Sequence, residues 1–487
     1  MTAANVTGTC TGSAGSWAVS INKAQGVVLN GSVSLVSMDI AVKAPGSYII
    51  TFASPSFLDD SGAPVTIGLD PIAMVASGTP TATRTATLAP ATATPAATAT
   101  PIGMVFTSIT SGNTHSCGLT SGGAAYCWGS NSNGQLGNGL TGEGSDSANG
   151  SSPVPVTGGR SFTSLVAGGQ HTCGLEAGGK AYCWGWNAYG QLGDGLSGNG
   201  IGLTAANRAI PAAVAGEQTF ASLVSSAFGN HTCGLTSAGQ AYCWGGNSSG
   251  QVGDGSAIDR SVPVAISGGR TFTSLVAGGI HSCGLESSGA AYCWGLNWMG
   301  QLGDGTLGLN GDGTALRRLS PVAVAGTQKF ASLAAGGGHT CGLSFEGLAV
   351  CWGLNDSGQI GDGAPVATFQ TIFSENRARP VPVLGGFTFT KLAGASDSTC
   401  GLSPNGAALC WGKNAEGQVG DGTSVSRTTP VAVVGSKTFS TIVGGAWHVC
   451  GLSTDGSAYC WGRNKEGQLG DGTTLDRSEP VAVIAVH

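Results

Sequence analysis

A chain of 487 residues is long enough for more than one domain, and its composition is lopsided, with 85 glycines, 41% hydrophobic residues and only 9% charged ones. That much glycine serves tight turns and close backbone approaches, and it favours short strands over helices. The net charge of −6, with no Lys/Arg cluster beyond pairs such as Arg317-Arg318, argues against a nucleic-acid partner, and no run reaches the roughly 18 apolar residues of a membrane span.

In chain order, residues 1–77 read as a small β domain. The runs SWAVSI, VVLNGSVSLVSMDIAV and GSYIITFAS are rich in β-branched and aromatic residues and are separated by Gly, Asn and Pro. A β-sandwich-like domain is expected, although immunoglobulin-type sandwiches usually need about 100 residues. The chain opens on Met-Thr-Ala-Ala, with neither the charged n-region nor the apolar h-region of a signal peptide. The expectation is therefore that the natural protein continues upstream of Met1. A partner for Cys10, the one cysteine outside the repeats described below, would then lie there.

Residues 78–103, GTPTATRTATLAPATATPAATATPIG, are nearly all Thr, Ala and Pro. They lack the apolar content to form a core and are expected to be an extended, semi-stiff linker open to O-glycosylation. Such spacers are typical of secreted or surface proteins; a plain interdomain linker inside the cell is the other reading.

From Met104 to His487 the chain repeats itself with a period of about 50 to 60 residues, the range of solenoids and propellers. In the second copy, FTSLVA (Phe162–Ala167), HTCGL (His171–Leu175) and AYCWG (Ala181–Gly185) are strands. A long loop then leads to a Pro-initiated fourth strand, PAAVA (Pro211–Ala215). Four short antiparallel strands per unit is the grammar of a propeller blade. The fold class expected is all-β, a seven-bladed β-propeller over 104–487 preceded by the small sandwich-like domain.

Fourteen of the fifteen cysteines fall in pairs ten positions apart: Cys117 with Cys127, Cys173 with Cys183, Cys233 with Cys243, Cys283 with Cys293, Cys341 with Cys351, Cys400 with Cys410, and Cys450 with Cys460. In a hairpin with its loop at 176–180, Leu175 faces Ala181, Gly174 faces Tyr182 and Cys173 faces Cys183. Directly opposed residues have Cβ atoms about 4.5–5.5 Å apart, within reach of a disulfide after small adjustment. Seven pairs out of seven favour disulfides, and reduced cysteines serving as small apolar residues are the alternative. His171 shares a strand face with Cys173, but Ser398 stands at the histidine position of the sixth copy, so no metal site and no cofactor is expected.

The pattern H-[ST]-C-G-L-x-x-x-G-x-A-Y-C-W-G-x-N-x-x-G-Q-L-G-D-G resembles the repeat of the regulator of chromosome condensation family. All seven copies carry the Trp-Gly (Trp128, Trp184, Trp244, Trp294, Trp352, Trp411 and Trp461), the following Asn, the Gly-Gln, and Gly-Asp-Gly or, at Asn138, Gly-Asn-Gly. The resemblance covers residues 104–487 and implies a seven-bladed propeller, here as a secreted, bacterial-type variant with a cysteine pair in every repeat. Because this region opens on FTSIT (Phe106–Thr110) and ends on PVAVIAV (Pro480–Val486), the last strand is expected to clasp the first. The repeated residues read as scaffold. Trp fills space between blades, Asn and Gln satisfy loop backbone, and the histidine acts as a loop hydrogen-bonder. Asp254/Arg260, Asp421/Arg427 and Asp471/Arg477 share a spacing suited to ion pairs.

Function is expected where the blades differ. The turn before the histidine and the loop after Trp-Gly should emerge on one face, which also receives the insertions at 138–152, 194–210, 304–320 and 362–379. Trp186, Tyr189, Phe228, Trp298, Met299 and Trp447 fall there and are the candidate binding residues, since exposed Trp and Tyr are favoured anchors. Packing the insertions down is their competing role. The function expected is a non-catalytic binding or scaffold protein, extracellular or at the cell surface. It would engage a protein or glycan through this face and attach to the surface through its N-terminal region. The alternative, implied by the founding family member, is a guanine-nucleotide exchange factor-like regulator of a small GTPase. The paired cysteines, which suit an oxidising compartment, and the lack of a basic tail weigh against it. The family also includes a secreted bacterial β-lactamase inhibitor and a plant light sensor, so the fold alone does not choose. An enzyme is not expected, because Asp and Glu are sparse in these loops apart from the repeated Asp.

Overall fold

Strands of four to seven residues cut by glycine turns bury their faces only by stacking on neighbouring sheets, and residues 104–487 do this in seven four-stranded antiparallel sheets. The computed structural model describes residues 104–484 apart from 143–145, 199–205 and 367–373, together with backbone strands between residues 7 and 75. The result is an all-β, seven-bladed propeller.

Each blade consists of four consecutive strands. Blade 1 is Ser108–Ser111, His115–Leu119, Ala125–Gly129 and Gly150–Pro155. Blade 7 is Phe439–Gly444, His448–Ser453, Ala458–Gly462 and Arg477–Ala482. The first strand of every blade is innermost and contributes to one central cavity. In blade 2 the fourth strand begins at Arg208, three residues before the expected proline start, because Arg208 pairs across a bulge with Gly185.

The expected strand clasp is absent. The last strand pairs with Ala458–Gly462 and the first with His115–Leu119, each inside its own blade. Blade 1 already has its own fourth strand at Gly150–Pro155, so no edge is left for the C-terminal strand to fill. The ring closes instead by the contact used at every other interface. Trp128 of blade 1 donates its indole N–H to the Gln468 carbonyl of blade 7 at 2.9 Å, as Trp184 of blade 2 donates to Gln135 of blade 1 at 3.0 Å.

Apolar packing lies between the blades. Cys117, Cys127 and Leu136 of blade 1 meet Phe162 and Trp184 of blade 2, and the seven Trp-Gly tryptophans are fully buried. The glycine after each first cysteine is required by this packing. A Cβ on Gly174 would stand 2.5 Å from Phe162 Cδ1.

The expected hairpin register is the one observed, with each first cysteine directly opposite its second. Cys117 is bonded to Cys127, Cys173 to Cys183, Cys233 to Cys243 and Cys283 to Cys293. In the remaining blades Cys341 is bonded to Cys351, Cys400 to Cys410 and Cys450 to Cys460. All seven pairs are therefore disulfides, with Cα atoms 4.0–4.1 Å apart, and none of these cysteines is a reduced apolar filler.

Residues Met1–Ala96 form a separate unit. In it Thr7–Thr11 pairs with Ala18–Asn22, and Asp39–Ala44, Ser47–Thr51 and Ala73–Val75 form a three-stranded sheet. The sandwich-like packing expected over 1–77, the spacer at 78–103 and a partner for Cys10 lie outside the described residues. Among those described, no helix is long and apolar enough to cross a membrane.

Candidate functional site

In all seven blades the N–H of the residue after Trp-Gly donates to the carbonyl of the residue before the histidine position, as Trp186 does to Gln170 and Arg463 to Trp447. The turn between the first two strands and the loop between the last two therefore stand side by side on one face. The loop is a rigid platform. Asn187 donates to Asp194 and accepts from the Leu192 N–H, each at 3.0 Å, and Gln191 Oε1 accepts from the Tyr189 N–H at 2.9 Å. The three expected Asp–Arg pairs form. Three more, Asp194–Arg208, Asp304–Arg318 and Asp362–Arg377, bridge the inserted loops, where the insertions hide the spacing from a sequence reading. At Asp254, burial alone would raise the carboxyl pKa. Hydrogen bonds from Ser256 and Arg260 outweigh it and hold the group below the usual range.

The recurring histidines do more than serve loops. Each is buried, and its Nε2 lies 2.8–2.9 Å from a Thr or Ser hydroxyl of the next blade: His115 to Thr172, His171 to Thr232, His231 to Ser282, His281 to Thr340, His339 to Thr399 and His448 to Ser116. Each hydroxyl also donates to a Gln carbonyl, as Thr172 does to Gln135 at 2.9 Å. The hydroxyl proton is thus committed, so Nε2 carries the imidazole proton and the Nδ1 lone pair is left without a partner in all six. Burial lowers the pKa to about 3 at His115, His171, His281 and His448 and to about 4 at His231 and His339. These are neutral structural links, and no cluster of three metal-ligating side chains occurs among the described residues.

One interface lacks the link, and it does so consistently. Blade 6 has Ser398 in place of the histidine, blade 7 has Val449 in place of the hydroxyl, and Ala395 replaces the glycine against which the ring packs in blade 2, Gly168. The histidine and hydroxyl are lost together, whereas the glycine is also missing from blade 3, where Ser226 stands and the His231–Ser282 link is kept. A histidine without its hydroxyl would leave a buried imidazole N–H unpaired.

The six candidate binding residues do not form one cluster. Phe228 and Trp447, from blades 3 and 7, meet edge-on with ring centres 6.4 Å apart, and Lys413 Nζ lies 4.5 Å from the Trp447 ring. Lys413 also pairs with Asp397 at 3.5 Å, yet burial raises the Asp397 pKa. Phe228 reaches this position on a two-residue insertion, since Ala167 pairs with Thr172 in blade 2 but Ser225 with Thr232 in blade 3. Trp186 and Tyr189 pack on each other, 5.3 Å apart, within blade 2. Met299 accepts a hydrogen bond from Asn376 of blade 5 at 3.4 Å, and its neighbour Trp298 is 36% exposed.

A repeated feature went unread in the sequence. Each of the seven loops exposes an aliphatic side chain by 39–65%, two to four residues after the loop Asp or Asn, at Leu140, Leu196, Ile258, Leu307, Val366, Val425 and Leu475, and the blade 4 loop adds Leu309 at 59%. The signal was the narrow range of offsets from Gly-Asp-Gly, obscured because the residue type varies.

The family model of the Regulator of chromosome condensation (RCC1) repeat matches residues 122–175, 178–235, 238–285, 288–343, 405–452 and 455–486. A second model of the same repeat matches 106–135, 162–191, 330–359 and 439–468. Ultraviolet-B receptor UVR8 of Arabidopsis thaliana is 28% identical over 326 residues, covering 66% of this chain and 68% of the receptor. E3 ubiquitin-protein ligase HERC2 of Mus musculus is 30% identical over 295 residues, which are 61% of this chain but 6% of the ligase. Among solved structures, yeast RCC1 (Prp20) bound to Kap60 gives a TM-score of 0.63 at 21% identity, covering 74% of this chain and 83% of that one. Human WBSCR16 gives 0.61 at 19% identity, covering 74% and 94%. At these identities the structural likeness is one of fold.

Proposed function

The chain belongs to the regulator of chromosome condensation (RCC1) repeat family, and from that premise we propose that it is a non-catalytic, protein-binding propeller of an oxidising compartment that docks its partner on the loop-bearing face. The observation that carries this reading is the exposed aliphatic residue in each of the seven loops. A single exposed leucine needs no explanation, but recurrence in every loop at nearly the same position marks a contact surface. Yeast RCC1 was crystallised with the protein Kap60, which is in keeping with protein docking by this fold. The absence of catalysis is supported by the chemistry of the repeated polar groups. The histidines are buried and neutral, and the loop carboxylates are engaged by arginines. A disulfide in every blade fits an extracellular or surface location, since reducing compartments keep such thiols open.

Two measurements test it. Alkylation without reductant should find one free thiol per chain, Cys10, among the fifteen cysteines. Fifteen free thiols would overturn the compartment and turn the search to small GTPases. Affinity capture from the extracellular fraction should then recover a partner that the triple variant Ile258→Ser/Val425→Ser/Leu475→Ser loses at least tenfold. Phe345→Ser, on the hairpin at the other end of blade 5 and 69% exposed, should retain it. Equal capture by both variants would remove the loop face from consideration.

A further inference from the structure

The seven innermost strands surround a cavity of 340 Å³, within the range of about 300–1,000 Å³ typical of small-molecule sites, and no role described so far uses it. Its wall is layered by strand register. At the end remote from the loops, each inner strand places one residue opposite the leucine of the second strand. That residue is serine in blades 1 to 5, Thr441 in blade 7, and lysine in blade 6 alone, at Lys391. Two positions further along, opposite the cysteines, the layer is mainly apolar, with Val166, Val224, Val276 and Val443 supplying the bulk. At the loop end Phe228 lines the cavity and meets Trp447 across it. Of the residues opposite the leucines only Lys391 reaches the cavity lining, so the chamber has one cation at the end remote from the loops, a mainly apolar waist and Phe228 at the other end.

Lys391 is the unusual member. Serine at this register satisfies five blades, so the propeller has no structural need of an ammonium there. The ammonium donates to Thr441 Oγ1 and makes no ion pair with any described residue. It is exposed towards open space, but the surrounding strands desolvate it and lower its pKa. Water reaches the ammonium and no carboxylate of a described residue pairs with it, so it is available to a counter-charge arriving from outside the chain.

We propose that the central cavity binds a small organic monocarboxylate, its carboxylate held by Lys391 and its apolar body in the valine layer beneath Phe228. A single cation matches a single negative charge. A phosphate dianion would want a second cation or several N–H donors, and a neutral ligand would leave the ammonium unmatched. The exposed position of Lys391 makes the end remote from the loops the entrance, so this site is separate from the protein-docking face.

The test titrates the full chain with sodium benzoate, sodium butyrate, inorganic phosphate and neutral benzamide, followed by calorimetry and ligand-observed NMR. At least one of the two carboxylates should bind saturably at one per chain, with benzamide and phosphate at least tenfold weaker. Lys391→Ser installs the residue that five other blades carry, so it should fold with an unchanged thermal midpoint and lose the carboxylate at least tenfold. Saturable binding of neither carboxylate, equal binding of benzamide, tighter binding of phosphate, or undiminished carboxylate binding by Lys391→Ser would each overturn the proposal.

Discussion

A histidine of one blade and a hydroxyl of the next, with a glycine against the ring in five of the six cases, make up the smallest structural unit of this propeller. The histidine was legible as a repeated residue, but its partner was not, because His281 and Thr340 are 59 positions apart and nothing local connects them. The interface between blades 6 and 7 has exchanged all three, for Ala395, Ser398 and Val449. At Gly278 a Cβ would stand 2.1 Å from His281 Cε1. Gly278→Ala should therefore destabilise the protein by about 1–3 kcal/mol, the usual range for overpacking a filled core. Adding His281→Ser and Thr340→Val, which rebuilds the 6–7 seam at the 4–5 interface, should recover most of that loss. Urea denaturation of the single and triple variants checks this, and a triple variant no more stable than Gly278→Ala would show that the three positions are not coupled.

Elements were the most readable scale, and the hairpin is the reason. A constant spacing of ten between cysteines admits one antiparallel register, so the pairing of Cys173 with Cys183 followed from the sequence and is what the sheets display. Strand starts were less readable: the proline of the fourth strand looked like its beginning, whereas the strand opens with an arginine that also pairs with the loop aspartate. The roof of the cavity was invisible for a different reason. Phe228 was recognisable as an unusual aromatic, but its meeting with Trp447 depends on ring closure placing blade 3 opposite blade 7. Each disulfide restrains only its own short loop, which in the chain-entropy account is worth about 2–3 kcal/mol. Replacing Cys283 and Cys293 by alanine should cost roughly that much in urea denaturation. The same change at Cys117 and Cys127 should add to it within about 0.5 kcal/mol, because blades 1 and 4 share no interface. Strong non-additivity would mean that the disulfides restrain the ring as a whole.

On the scale of the whole molecule, the ring is sewn by two kinds of stitch with different responses to acid. The tryptophan–glutamine bond is present at all seven interfaces and has no titrating group. The histidine link is present at six, and its imidazoles titrate at about 3 or 4 in the folded protein against 6.5 in the unfolded chain. Protonation would have to occur at Nδ1, which is buried with no acceptor beside it, so the folded state resists it. The unfolded chain therefore takes up protons first. The stabilising contribution is complete above pH 6.5 and is lost as pH falls towards 4, at about 1.4 kcal/mol per pH unit for each histidine. Carboxylates with lowered pKa, such as Asp254, act in the same direction but only below about pH 4, so the two windows separate. Thermal midpoints should be level from pH 8 to 7 and fall steeply between 6.5 and 5. The triple variant at the 4–5 interface, with one histidine fewer, should fall about one-sixth less steeply in that window, the share of one link in six. A midpoint unchanged from pH 7 to 5 would mean that the histidines are not the buried neutral links that the ring is built around.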